Sequence, residues 1–221
     1  MARKPSAPPQ DAALPQDATL PQDEGWRTVE PLTLTPLLTA ALATFHEFGY
    51  HGASVRDIAK RAGVTVPTLY YHHENKQGIL VALMMTGIEA VTDRAREAVD
   101  VAGPSPTRQF GNLVEAVVLH MTSRTDIAFL DSELRYLEDT ERKAYAAKRK
   151  HLENLLADVL TAGVEEGEFT VTDIAGTGRA MLGMCQSVSL WFRPDGPQTP
   201  HEVSVFYREI ALNAVGAAAT V

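Results

Sequence analysis

The pattern of hydrophobic and polar positions is helical from residue 35 onward. Thr35 can cap a helix that begins with Pro36, and one apolar stripe follows until Gly49. The stripe comprises Leu37, Leu38, Ala41, Leu42, Phe45 and Phe48. No segment alternates convincingly in the way a half-buried strand does. We therefore predict an all-α protein with about nine helices.

Two short helices joined by a tight turn are predicted next. Ser54 and Asp57 have the spacing of a capping box, and the helix that they begin ends at Gly63. Thr65 can cap the second helix, which is predicted to end near His73. Two helices of this length around a glycine turn are typical of a helix-turn-helix.

The rest of the chain is predicted to form a linking helix and a larger helical bundle. The linking helix runs from near Asn75 to about Val101. Further helices are predicted at residues 107–123, 127–137, 140–166, 172–192 and 199–215. The chain thus divides into an N-terminal arm of residues 1–31, a helix-turn-helix domain of residues 32–80 and a larger domain of residues 81–221.

Charge distinguishes these segments. The formal charge of the chain is −8, with −2 in residues 1–31, +1 in residues 32–80 and −7 in residues 81–221. Any contact with nucleic acid is therefore expected in the helix-turn-helix segment. The arm repeats PQDAAL, PQDATL and PQDE, and its prolines and few large apolar groups predict a flexible tail.

Composition excludes several classes of protein. No apolar run reaches the roughly 18 to 20 residues of a membrane helix, and the N-terminus lacks the apolar stretch of a signal peptide, so we expect a cytoplasmic protein. The single cysteine, Cys185, excludes an intrachain disulfide and a cysteine-based zinc cluster. No cofactor or metal is predicted.

The stretch GVTVPTLYYHHENK, from Gly63 to Lys76, carries the candidate chemistry. If Leu69 faces the core, the rest of its helix faces outward: Thr65, Val66, Pro67, Thr68, Tyr70, Tyr71 and His72. Hydroxyl, aromatic and imidazole groups suit contacts with phosphates and the edges of a major groove. The alternative is that the two tyrosines are ordinary core aromatics.

Residues 36–83 resemble the DNA-binding domain of the tetracycline repressor (TetR) family. The resemblance is carried by FHEFGYHGASVRDIAKRAGV, TVPTLYYH and NKQGILVAL, and His73 departs from it, because family members commonly have phenylalanine there. It implies a transcriptional repressor that binds a palindromic operator as a homodimer, is released from it by a ligand, and is not an enzyme.

The resemblance also implies a role for each matching residue. Base-edge contacts are implied for Arg56 and Val66. Phosphate contacts are implied for Ser54, Thr68, Tyr70, His72 and Lys76. Groove contacts are implied for Pro67 and Tyr71, and Thr65 lies on the same surface. An arginine pairs bidentately with guanine, but Arg56 could also be a plain exposed helix arginine.

Dimerisation is assigned to the last two helices, which the resemblance implies form a four-helix bundle with a second copy. The candidate residues are Ile174, Met181, Leu182, Val188, Val205, Ile210, Leu212 and Val215. The alternative is that these residues only fill the core of one copy.

An effector site is implied in the same half of the chain. The candidate lining residues are Phe110, Leu113, Val117, His120, Met121, Phe129, Leu130, Met181, Met184, Trp191 and Phe192, each of which could instead be core. Residues 181–203 are also similar to a branch of the family that senses acyl-coenzyme A thioesters. If the effector is such a thioester, its coenzyme A phosphates could bind Arg135, Arg142 or Arg149, which are otherwise surface charges.

The sequence leaves two other functions to consider. An enzyme is disfavoured, because no nucleophile, base and orienting acid can be grouped, and Gly176, Gly178 and Gly183 lack dinucleotide-binding spacing. A DNA-binding dimer that acts through protein partners, without a small-molecule effector, remains the main alternative.

Overall fold

The computed structural model describes residues 25–28, 32–123, 127, 130, 133–134 and 137–217. Within these residues the chain forms a short 3-10 helix, Gly25–Arg27, and eight α-helices. They are α1 (Pro36–Gly52), α2 (Val55–Ala62), α3 (Val66–His72), α4 (Lys76–Val101), α5 (Pro106–Ser123), α6 (Asp139–Glu165), α7 (Ile174–Trp191) and α8 (Pro200–Ala214). The prediction of an all-α fold is confirmed.

Two predicted elements fall outside this description. The proline-rich repeats of the arm lie outside the described residues, and so does most of the helix predicted at residues 127–137. Residues 25–28, which were predicted to belong to the flexible arm, are instead part of the folded structure, because the side chain of Trp26 is buried.

The helices begin where local capping chemistry predicts. Ser54 and Asp57 form the capping box of α2, and Thr199 and Glu202 form that of α8. Each of these boxes satisfies backbone N–H groups that have no partner inside the helix. The start of α7 differs from the prediction, because the carboxylate of Asp173 accepts the Gly176 N–H at 2.9 Å and makes residue 173 the cap.

Gly49 interrupts α1 rather than ending it. Its backbone has φ 69° and ψ 165°, which a residue with a side chain rarely adopts. One more helical turn follows and ends at Gly52, and the Ala53 N–H bonds back to the Gly49 carbonyl at 3.1 Å. Tyr50 and His51 belong to this last turn, and the His51 ring lies 3.9 Å from the Glu133 carboxylate.

The C-terminal domain is built around α5. This helix packs against α4, α6, α7 and α8, and almost all of its residues from Phe110 to Thr122 are buried. Phe169 follows α6 and lies 5.5 Å from Phe110, ring centre to ring centre. Gly163 makes room for this ring, because a Cβ there would lie 2.0 Å from the Phe169 side chain.

Cys185 lies in the same core and is 1% exposed. Burial raises the pKa of its thiol to about 12, so the side chain stays protonated and packs as a small hydrophobe.

Among the described helices, none is long and apolar enough to cross a membrane.

Candidate functional site

The turn between α2 and α3 has the geometry of a helix-turn-helix. Gly63 adopts the left-handed conformation, with φ 68° and ψ 26°, and its N–H bonds to the last carbonyls of α2. Val64 donates to the Ala59 carbonyl at 3.0 Å. Ile58 of α2 and Leu69 of α3 are both fully buried, so the two helices are sealed onto the core through one face each.

The opposite face of α3 is exposed. Tyr71 is 87% exposed and Tyr70 is 48% exposed, so neither tyrosine is a core aromatic. The other exposed residues of this surface are Ser54, Thr65, Pro67, Thr68 and His72, whereas Val66 is half-buried against the core. The exposed face of α3 thus consists mostly of polar and aromatic side chains, and few aliphatic side chains lie on it. Such a face suits the groove of a duplex.

Arg56 and Arg61 lie on the same short helix but differ in their partners. Arg61 is paired with Glu47 and donates to the Thr44 hydroxyl at 3.3 Å. Arg56 is exposed and makes no hydrogen bond or ion pair with any other residue in the described parts of the chain. Its guanidinium is therefore available for an external acceptor, as the base-edge assignment requires.

Lys76 has partners that the sequence did not reveal. Its ammonium donates to the carbonyls of Tyr50, at 2.8 Å, and Ala53, at 2.9 Å, and lies 4.5 Å from the centre of the Tyr50 ring. Burial lowers its pKa. Tyr50 and Ala53 lie at the C-terminal end of α1, where carbonyls lack helical partners, and Lys76 supplies a donor to both. Its phosphate contact stays a prediction that relies on the third N–H of the ammonium.

His73 lies at the corner between α3 and α4. The pKa of its imidazole is lowered, mainly by burial and to a smaller extent by the nearby His72. A neutral, half-buried ring therefore occupies the position at which the TetR resemblance leads one to expect phenylalanine.

A small cavity lies between α4, α5, α6 and α7 in the C-terminal domain. Its volume is about 40 Å³. It is lined by Met84, Gly87, Ile88, Val91, Val117, His120, Met121, Ile127, Tyr145, Arg149, Leu152, Leu182 and Gln186. The wall is thus mostly apolar, with a few polar groups, as in sites for small hydrophobic ligands.

The structure corrects most of the predicted cavity lining. Val117, His120 and Met121 line the cavity, as predicted. The predicted residues that do not line it are Phe110, Leu113, Leu130, Met181, Met184, Trp191 and Phe192. Phe110 packs on Phe169 after α6, Leu113 is buried, and Trp191 is 45% exposed. Phe129 lies outside the described residues.

The three candidate phosphate-binding arginines also separate. Arg149 lines the cavity and donates to the Gln186 side chain at 3.3 Å. Arg142 pairs with Asp139 on the exposed first turn of α6. Arg135 lies outside the described residues. Only Arg149, of the two that are described, can contact a ligand in the cavity.

The predicted dimer face needs a similar correction. Leu182, Val188 and Val215 are at most 5% exposed within one chain, and Met181 is also buried, so these side chains pack in the core of their own copy. Ile174 and Leu212 are half-buried and pack against the same core, and Val205 is also half-buried. Ile210 is the predicted residue that is exposed.

Larger exposed apolar groups occur on the same two helices. They are Leu190, Trp191, Phe206 and Ile210. Trp191 of α7 stacks on Tyr207 of α8, with ring centres 6.4 Å apart, so these helices expose one shared apolar surface. Such a surface is a candidate protein interface.

The exposed face of α3 and the glycine turn before it define a helix-turn-helix DNA-binding protein. Residues 37–83 match the family model of bacterial regulatory proteins, tetR family, and residues 103–215 match that of the tetracyclin repressor-like C-terminal domain. The chain belongs to the tetR family and is a DNA-binding transcriptional regulator rather than an enzyme.

Individual proteins resemble it over most of its length. The HTH-type transcriptional repressor KstR2 of Mycobacterium tuberculosis is 30% identical over 184 residues, which cover 81% of this chain and 90% of KstR2. The crystal structure of the regulator PfmR from Thermus thermophilus is 30% identical, with a TM-score of 0.73, over 80% of this chain and 97% of PfmR. FadR from Bacillus subtilis, solved with stearoyl-CoA, is 23% identical over 81% of this chain and 98% of FadR, with a TM-score of 0.70, and shows the shared fold.

Proposed function

We propose that this regulator is a repressor that binds a palindromic operator as a homodimer and is released by a lipid-derived effector, with acyl-coenzyme A thioesters as the chemical class. The observation that carries the proposal is the cavity beside α5, whose mostly apolar wall also includes Arg149. As a regulator of DNA, it is proposed to act in the cytoplasm.

The DNA contacts are proposed for the exposed face of α3 and the start of α2. Arg56 would read base edges, because it is exposed and has no partner in the described parts of the chain. Thr68, Tyr70 and His72 would hold phosphates. One copy of residues 32–80 makes few contacts, and two copies related by a twofold axis read half-sites about 34 to 36 Å apart.

Dimerisation is proposed through α7 and α8 of residues 81–221. The exposed side chains of Leu190, Phe206 and Ile210 form an apolar surface that a second copy can cover. A twofold axis through this surface brings the same residues of each copy together. Of the residues predicted for the interface, Ile210 is exposed and is kept in this proposal. Leu190 and Phe206, which are also exposed, take the place of the predicted residues that are buried.

The effector must enlarge the cavity. Its volume of about 40 Å³ is far below the roughly 300 to 1,000 Å³ of sites for drug-sized ligands. Met84 and Met121 line the wall and can change rotamer at low cost. Ile127 covers Gly87 so closely that a Cβ there would lie 2.7 Å from its side chain. An acyl chain would therefore enter by displacing flexible side chains.

A polar cleft adjoins the cavity at Ile88, which borders both. Its other lining residues include Arg96, Lys148 and His151. Arg96 pairs there with Asp93 and Lys148 with Glu89. We propose that these two cations exchange their exposed carboxylate partners for the phosphates of a coenzyme A thioester, beside Arg149, while the acyl chain occupies the apolar part. A lipid-derived effector is also suggested by KstR2, a ketosteroid transcriptional regulator, and a coenzyme A thioester by the stearoyl-CoA bound to FadR.

The proposal is tested with duplexes selected by the protein from a random pool. Stearoyl-CoA, free coenzyme A, stearate and a steroid are each added, and the melting temperature and duplex affinity are measured. Stearoyl-CoA is expected to raise the melting temperature, because it binds the folded state, and to weaken duplex binding. If no probe alters either quantity, the alternative of a DNA-binding dimer that acts through protein partners is favoured.

A further inference from the structure

Residues 25–28, which we call the anchor, precede the helix-turn-helix domain but pack against the C-terminal domain. Trp26 is 1% exposed and forms a separate apolar cluster with Ala98 of α4 and with Ala116 and Leu119 of α5. The burial of a whole indole ring gives this short segment a defined position.

Charged and polar contacts join the anchor to the same helices. The Arg27 guanidinium donates twice to the Glu115 carboxylate, from Nε at 2.9 Å and from Nη2 at 3.2 Å. Glu115 is fully buried in α5 and also lies 3.5 Å from Arg208 of α8. A buried carboxylate depends on such partners. Arg94 of α4 donates to the Thr28 carbonyl at 3.2 Å.

The anchor is close in sequence to the DNA-binding helices. Six residues lie between Thr28 and Thr35, the cap of α1, and the seven steps from one Cα to the next span at most about 25 Å when fully extended. The N-terminal end of the helix-turn-helix domain is thus tied to the C-terminal domain. Its other end is tied by α4, which runs from one domain into the other. The domain is held at both ends.

One helix carries the anchor and lines the effector cavity. Ala116 and Leu119 contact Trp26, while Val117 and Met121 line the cavity from another side of α5. His120 borders both the cavity and the cleft that contains Trp26 and Thr28. Since packed helices move as rigid units, a ligand that displaces α5 also displaces the residues that hold the anchor.

We propose that the anchor is a second mechanical connection, beside α4, through which an effector in the cavity changes the position of the helix-turn-helix domain. The inference rests on the proposed function, because it requires an effector in that cavity. The coupling acts in both directions, so DNA binding also alters the anchor.

A first experiment needs no effector. The chain has two tryptophans, Trp26 and Trp191, so the emission of a Trp191→Phe protein reports on Trp26 alone. Acrylamide quenching is measured with and without a saturating duplex that this protein binds. A change in the quenching of Trp26 on binding is expected. Identical quenching in the two states contradicts the proposal.

A second experiment compares Arg27→Ala with Arg193→Ala. Arg193 pairs with Asp195 on the exposed turn after α7, so its replacement removes the same charge away from the anchor. Duplex affinity is measured with and without stearoyl-CoA, well below each unfolding transition. An effector typically changes the affinity at a coupled site by roughly 5-fold to 150-fold. The ratio of the duplex affinities without and with stearoyl-CoA is expected to fall toward 1 in Arg27→Ala and to keep the parent's value in Arg193→Ala.

The outcomes separate the anchor from the effector proposal. If stearoyl-CoA fails to bind the parent, that effector fails, and the quenching of Trp26 decides on the anchor. If Arg27→Ala binds stearoyl-CoA and retains the parent's ratio, with only a lower melting temperature, the anchor is merely structural and the proposal is wrong. If Arg27→Ala does not fold, Arg27→Lys is used, which keeps the charge but loses the paired donors, and an unchanged ratio again contradicts the proposal.

Discussion

The ammonium of Lys76 lies 2.8 Å from the carbonyl oxygen of Tyr50 and 4.5 Å from the centre of its ring. One lysine thus joins the start of α4 to the end of α1, beside the surface proposed to meet DNA. Replacement of Lys76 by alanine leaves the carbonyls of Tyr50 and Ala53 without this donor. We expect a loss of about 1 to 2 kcal/mol of unfolding free energy, together with weaker binding of all duplexes alike. Chemical denaturation and titration of several duplexes measure the two effects.

Arg56→Ala is expected to act differently. The exposed guanidinium is proposed to read a base edge, so its loss should cost about 1 to 3 kcal/mol on the preferred duplex and relax the preference at one position. Titration over a set of single-base variants of the selected duplex measures this. Lys60→Ala is the matched control, since Lys60 is an exposed cation on the same helix. Equal losses on every duplex would show that Arg56 contacts phosphate instead.

Leu69 and Tyr71 provide a test of the orientation of α3. Leu69 is fully buried, and its replacement by alanine should lower the unfolding free energy by about 2 to 5 kcal/mol. Tyr71 is 87% exposed, and Tyr71→Ala should change it by no more than about 0.5 kcal/mol while weakening duplex binding. Denaturant unfolding of the two variants makes the comparison. A large loss of stability in Tyr71→Ala would refute the assigned orientation.

Arg149 and Arg142 are a matched pair on α6. Arg149 lines the cavity, whereas Arg142 pairs with Asp139 on an exposed turn. Arg149→Ala is expected to reduce the melting-temperature increase caused by stearoyl-CoA, because a cation near the phosphates is lost, and to leave that caused by stearate nearly unchanged. Arg142→Ala should behave as the parent for both probes. Equal effects of the two substitutions would remove Arg149 from the site.

The proposed dimer surface is tested with Phe206→Glu. Phe206 is 53% exposed in one copy, so a charge there costs the folded monomer little but would be buried in a dimer. The variant is expected to sediment as a monomer and to lose affinity for a palindromic duplex. Val164→Glu, on an exposed part of α6, is the control. A Phe206→Glu protein that remains dimeric would exclude this surface.

Helix starts were predictable because capping is a local rule. Thr35, Ser54, Thr65 and Thr199 each accept a backbone N–H within three residues, so the sequence contains both partners. The orientation of α3 could also be predicted from a local pattern, because Leu69 is the apolar residue expected to face the core and it is fully buried. These features locate the surface proposed to bind DNA.

The cavity and dimer surfaces were harder to predict, because an apolar period shows that a helix has a buried side but does not identify its neighbour. Leu182 illustrates this, because its position on α7 predicts a place in the dimer interface, whereas its side chain lines the cavity. Val188 and Val215 are covered by their own chain. Lys76 and Arg27 have partners 26 and 88 residues away, respectively, which no local pattern shows.

The buried thiol of Cys185 has a practical consequence for measuring allostery. A thiol with a pKa of about 12 and 1% exposure reacts slowly with maleimides and spin-label reagents. A cysteine introduced at an exposed position of α1 would therefore be labelled selectively in the otherwise native chain. Pulsed electron resonance between two such labels in a dimer could follow the separation of the DNA-binding helices as ligands are added.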